Sequence, residues 1–239
     1  MKGLVIAIQF LTRVPMPRVT VSNEEFAASI RWFPAVGLLI GASITASAWA
    51  GTRVDSWTGA VLGVIAWVAV TGALHLDGLG DIADASGAAH KDRDRLLAVL
   101  ADPHVGSFAV VTIGLQLLAK LVLLHALIEM DVLEAVVLVP LAARIGPLVW
   151  SRWLPDLHAG LGSRFRRAAR PIELAGWGVL LTVAAWFAPG LLATPVLIGG
   201  WGWWVLRRIG GISGDGHGAG IEIVESGLLL ALAIGARLT

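Results

Sequence analysis

No cysteine occurs among the 239 residues, which excludes disulfides, thiolate metal sites and cysteine nucleophiles. Charge is scarce: Asp, Glu, Lys and Arg make up 15% of the chain, too little to coat a water-facing globule of this length. Eighteen basic residues stand against seventeen acidic ones, a net charge of +1, so no overall field marks a nucleic-acid binder. The chain shows no Gly-x-Ser-x-Gly elbow, Walker loop or His-Glu-x-x-His helix. Internal repeats and low-complexity linkers are also missing, and residues 1–239 read as a single membrane-embedded domain.

What the sequence has in quantity is apolar residue, 56% of the chain, with a mean hydropathy of +0.79. A hydrocarbon core about 30 Å thick takes about 20 apolar residues of helix. Seven stretches approach that length: Trp32–Ala50, Trp57–His75, Gly106–Ile128, Val132–Trp153, Ile172–Ala188, Leu191–Leu206 and the short Ser226–Leu238. The expected fold is therefore all-α, a polytopic integral membrane bundle of about seven transmembrane helices. Most of the tryptophans, Trp150 and Trp201 among them, fall near the proposed span ends, where amphipathic rings collect. Arg13, Pro15, Pro17 and Arg18 stand where the small cleavage-site residues of a signal peptide would be, so the segment before them is expected as an N-terminal interfacial helix. Fourteen of the eighteen basic residues fall in alternate loops on one side, which predicts a cytoplasmic N-terminus and cytoplasmic loops 76–105, 154–171 and 207–225.

After the second span, carboxylates recur at Asp77, Asp81 and Asp84. If the second helix continues through them, this spacing puts all three on one face, where like charges repel unless a cation intervenes. Hard oxygen donors of this kind favour Mg²⁺ or Mn²⁺, and Mg²⁺ binds through one or two carboxylates plus substrate phosphates, which suits phosphoryl transfer. The alternative is a solvated acidic helix end. Arg93 and Arg95 offer guanidinium forks for phosphate or merely obey the positive-inside rule, and Asp102 follows on the same loop. Six glycines between Gly210 and Gly220 predict irregular backbone able to present N–H groups to phosphate, with Asp215, Glu222 and Glu225 adding carboxylates to the same cytoplasmic face. No acid is expected at mid-span. Lys120 and Arg144 lie inside spans, where charge is costly, and are expected to face the site. The run Arg164, Arg166, Arg167 and Arg170, without acids or glycines, is expected to meet anionic lipid headgroups.

Phe10–Pro17, Arg31–Gly37, His75–Ala85, Arg95–Phe108, Ala143-Arg144 and Gly210–Glu225 together resemble the blocks of the cobalamin synthase (adenosylcobinamide-GDP ribazoletransferase) family, in order and over nearly the whole chain. Two positions depart from the family pattern: His104 stands where Arg is common, and Gly216-His217 replaces a hydroxyl and an apolar residue. The resemblance implies a Mg²⁺-dependent reaction joining α-ribazole or its 5′-phosphate to adenosylcobinamide-GDP with release of GMP, at the cytoplasmic face of a prokaryotic inner membrane. It implies Asp77, Asp81 and Asp84 as metal ligands, one of them taking the proton of the ribazole 5′-hydroxyl. Asp102, Asp215 and Glu222 would be further ligands, and Arg13, Arg93, Arg95, Arg144, Lys120 and His75 would bind substrate. A CDP-alcohol phosphotransferase and a cation-coupled transporter remain as alternatives.

Overall fold

The computed structural model describes residues 2–88, 93–158, 165–166 and 168–238. Twelve α-helices occur among them: α1 Lys2–Leu11, α2 Asn23–Ala28, α3 Phe33–Gly51, α4 Ser56–Thr71, α5 Leu74–Ala88, α6 Arg93–Leu100, α7 Ser107–Glu129, α8 Val139–Ala143, α9 Gly146–Trp153, α10 Pro171–Phe187, α11 Thr194–Arg208 and α12 Gly214–Leu238. Five stretches are long and apolar enough to cross a membrane unaided, and the bent pair α4 and α5 makes a sixth. At 17 residues α10 is shorter but equally apolar. The chain is thus an all-α, multi-pass membrane protein. The short α1 packs against α3, with Ile6, Ala7 and Leu11 buried.

Local chemistry explains the boundaries. Asp55 caps α4 by accepting from the Thr58 N–H at 2.8 Å, satisfying a donor that the first turn leaves free. Helix α4 ends in two left-handed residues, Gly72 at φ 62° and Ala73 at φ 59°, and the chain turns there through 86° before α5. A Cβ on Gly72 would overlap the Arg13 side chain. Ala73 carries its Cβ into a region that costs an L-residue about 1–2 kcal/mol. The second span therefore does not continue through the acids as the spacing argument assumed; a break intervenes, and α5 is a helix of its own.

Helix α12 is the hub, packed against α5, α7, α8, α9 and α11. Its course corrects two expectations. The last span is not the short Ser226–Leu238 but runs 25 residues from Gly214, and the glycine-rich stretch is its first turns rather than irregular loop. Glycine costs up to about 1 kcal/mol relative to Ala inside a helix, but in a membrane bundle small residues let backbones approach closely. A Cβ on Gly218 would lie 3.3 Å from the His75 Cα, and one on Gly220 would collide with Trp150 and Trp201. Those two tryptophans are buried rather than interfacial, because their indole N–H groups donate to internal carbonyls, Trp150 to Ile198 at 2.9 Å and Trp201 to Gly216 at 3.0 Å.

Candidate active site

Helix α5 carries Asp77, Asp81 and Asp84 on one face; Asp77 is exposed and the other two are half-buried. The three acids share a face because α5 is one continuous helix over their spacing. Helices α5 and α12 cross at Gly78, where a Cβ would come 2.8 Å from the Asp215 carbonyl oxygen. That crossing brings Asp215 alongside the acid face, and the charges of Asp215, Asp77 and Asp84 all bear on Asp81. The structure thus joins carboxylates from two helices 131 or more positions apart into one electronegative patch.

Asp84 is the member with another task. Its Oδ2 accepts from the Gly106 N–H at 2.7 Å and its Oδ1 from the Ala109 N–H at 2.9 Å, so it caps the start of α7, whose own N-cap is a glycine. Replacing Asp84 by Ala is expected to cost about 1–2 kcal/mol of stability, with Asn, which keeps one acceptor, losing less. Thermal melting in detergent checks this. A variant Asp84→Ala that melts like the wild type would mean the cap contributes nothing.

Asp102 is engaged with His104. It is exposed and accepts from the His104 backbone N–H at 3.0 Å, with the His104 Nδ1 at 2.6 Å; these two hydrogen bonds hold its carboxyl below the usual range. Arg93 reaches the Leu157 carbonyl at 3.5 Å. Both Arg93 and Arg95 stand exposed on α6. Arg13 packs at the α4–α5 break, its N–H donating to the Val70 carbonyl at 2.7 Å.

Glu222, Glu225, Lys120 and Arg144 correct the picture most. All four are at most 2% exposed. Lys120 Nζ lies 2.8 Å from Glu222 Oε2 and 2.7 Å from Glu225 Oε2, and Arg144 Nη1 lies 2.8 Å from Glu225 Oε1. Gln116 Nε2 donates to Glu222 Oε2 at 2.8 Å, and Lys120 sits 3.9 Å above the Trp67 ring. Acids therefore do lie inside a span, because α12 begins earlier than its apolar run suggests. Two cations and two anions neutralise one another there, tying α7 and the α8–α9 junction to α12. Glu222 is engaged in this quartet rather than in the patch, and neither Lys120 nor Arg144 faces it as a free cation. Arg144 also reaches His75, with Nη2 3.4 Å from Nδ1.

Among the described residues no three His, Asp or Glu side chains converge closely enough to hold a metal ion by themselves. The donor set still suits Mg²⁺, which takes one or two carboxylates and fills its remaining positions with water and substrate phosphate. Of the basic run, Arg164 and Arg167 lie outside the described residues. Arg166 is not free of acids, since its Nη1 lies 3.7 Å from Asp156 Oδ2. The sequence reading missed Phe165, which turns inward beside the patch; nothing local marks one aromatic in a basic run as a site residue.

A model of the cobalamin-5-phosphate synthase family matches residues 3–233. Three curated relatives are each named adenosylcobinamide-GDP ribazoletransferase. The protein of Novosphingobium aromaticivorans is 64% identical over 98% of this chain and 97% of its own. That of Laribacter hongkongensis is 51% identical over 100% and 99%, and that of Thiobacillus denitrificans is 47% identical over 98% and 96%. No solved structure matches.

Proposed function

Because this chain belongs to the cobalamin-5-phosphate synthase family, we propose that it joins adenosylcobinamide-GDP to α-ribazole, or to its 5′-phosphate, and releases GMP. It is a transferase of cobalamin biosynthesis. The observation that carries the reading is the open acid face of α5 with Asp215 beside it, in a chain the family matches from end to end.

The chemistry is displacement at a diphosphate. A ribose hydroxyl attacks the phosphorus esterified to cobinamide, the bridging P–O bond breaks, and GMP departs with the electron pair. The family's name describes a product that keeps a 5-phosphate, so the 5′ oxygen is already occupied and the nucleophile is a secondary ribose hydroxyl, not the 5′-hydroxyl expected from the sequence. Of Asp77, Asp81 and Asp215, the last two would hold Mg²⁺ together with the substrate diphosphate, where it would neutralise charge gathering on the leaving group. Asp77, the most open of the three, takes the hydroxyl proton. Arg13, Arg93 and Arg95 are the exposed cations proposed to hold the diphosphate, since guanidinium forks match phosphate oxygens. The quartet around Lys120 keeps the framework beneath the patch rigid.

A cation-coupled transporter would need intramembrane acids free to bind and release its ion, whereas Glu222 and Glu225 are already neutralised by Lys120 and Arg144. The purified protein in detergent should release GMP from adenosylcobinamide-GDP only when α-ribazole or its 5′-phosphate is present, and EDTA should stop it until Mg²⁺ or Mn²⁺ is restored. Absence of GMP release would overturn the activity; release that persists in EDTA would overturn the metal.

The patch is proposed to face the cytoplasm across a prokaryotic inner membrane, with the 164–170 run near anionic headgroups, on the positive-inside asymmetry. Reporter fusions at Asp55 and Asp131 should then read as external. A cytoplasmic reading at Asp131 would reverse this orientation.

A further inference from the structure

Beside the acid patch lies a cavity of about 200 Å³, bounded by α1, the start of α3, the start of α5, Phe165 and the start of α12, with Asp77 and Asp215 among its walls. Its size decides what it can hold. Sites for drug-sized ligands run to roughly 300–1,000 Å³, so neither a corrinoid nor a guanosine diphosphate fits within it, whereas one fused planar ring does. Phe10, Phe33 and Phe165 wall one side, with ring centroids 5.9 Å apart for Phe10 and Phe33 and 5.5 Å, nearly perpendicular, for Phe33 and Phe165. Such faces and edges favour a further aromatic ring.

Two buried histidines add polarity. His75 is 3% exposed and His217 7%, both line the cavity, and among the described residues His75 Nε2 and His217 Nδ1 have no hydrogen-bond partner. The partner of His75 at its other nitrogen is a guanidinium, which only donates, so Nδ1 accepts and the neutral ring carries its proton on Nε2. Leaving a buried N–H unpaired is costly, and a ring-nitrogen acceptor would satisfy it. His217, where the family pattern has an apolar residue, stacks 6.0 Å from Trp150 and offers a second polar point.

We propose that this cavity is the subsite for the planar base of the acceptor nucleoside, a benzimidazole-type heterocycle whose ring nitrogen accepts from His75 Nε2–H while its ring packs against the phenylalanine wall. The assignment rests on the reaction proposed above. It places the sugar attached to the base at the Asp77 mouth, where the attacking hydroxyl must be.

The test uses the full chain in detergent, with 1-methylbenzimidazole and 1-methylindole as probes of the same shape, the second lacking the acceptor nitrogen. Calorimetric titration should show 1-methylbenzimidazole binding at least about tenfold tighter, because a site built around a donor rejects the ligand that leaves it unpaired. Phe165→Ala should weaken that binding and raise KM for α-ribazole about tenfold, with kcat and the KM for adenosylcobinamide-GDP within a few fold. Equal affinity for the two probes, no saturable binding of either, or a KM effect confined to adenosylcobinamide-GDP would overturn the proposal. The probe comparison needs no variant and no turnover, so it reads the cavity even if Phe165→Ala fails to fold, and a protein that binds the probes without releasing GMP would count against the reaction and not against the cavity.

Discussion

Asp77→Asn, Asp81→Asn and Asp215→Asn should each lower kcat for GMP release at least about 10²-fold, the scale of losing one preorganised electrostatic group at a transition state. Asn keeps the shape and removes the charge, so the fold should survive. Relieving repulsion among carboxylates whose charges bear on one another leaves the apo protein at least as stable. Melting curves should therefore match the wild type while turnover collapses. Combining the three should cost little more than the worst single change, because groups that serve one centre fail together. Asp84 supplies the internal contrast: with both oxygens occupied by the α7 start, its replacement should show first in stability. If Asp77→Asn and Asp215→Asn were well folded and released GMP at near-normal rates, the patch would not be the reaction centre.

Lys120→Met should be the most damaging change to stability. It removes the cation shared by Glu222 and Glu225 and leaves two buried carboxylates with Arg144 alone. Breaking a buried pair by deleting one partner costs about 3–5 kcal/mol, which for a chain of this size lowers the melting temperature by roughly 6–20 °C. Adding Glu222→Gln in the same chain restores neutrality, since Arg144 and Glu225 still pair at 2.8 Å, and should recover most of the loss. Thermal melting of the single and double variants in one detergent measures both effects. A single variant Lys120→Met that melts with the wild type would show that the quartet does not hold α7 to α12.

The acid face of α5 was readable because it is local: within one helix, spacing alone sets which side chains share a side, and the break at Gly72 and Ala73 moved the helix without disturbing its face. The segment Gly210–Glu225 was misread for the complementary reason. Glycine disfavours an isolated helix, but what decides here is the neighbour, since Gly218 and Gly220 let His75, Trp150 and Trp201 come close. Phe165 had no local signal at all, because its role depends on Phe10 and Phe33 being carried to it by other helices.

Composition and hydropathy by themselves determined that this is a multi-pass helical membrane protein, for the thickness of the bilayer and the need to satisfy every backbone N–H and C=O within it admit few other solutions. The ordered motifs determined the family. Only the tertiary structure decided which charges neutralise each other. Lys120 and Glu225 lie 105 positions apart and Arg144 and Glu225 lie 81 apart, and nothing in either local sequence encodes the other. The same packing decided that Asp215 joins the α5 acids while Glu222, on the same helix, does not: they lie seven residues apart, about 10 Å along α12, one beside the exposed patch and the other enclosed with Lys120.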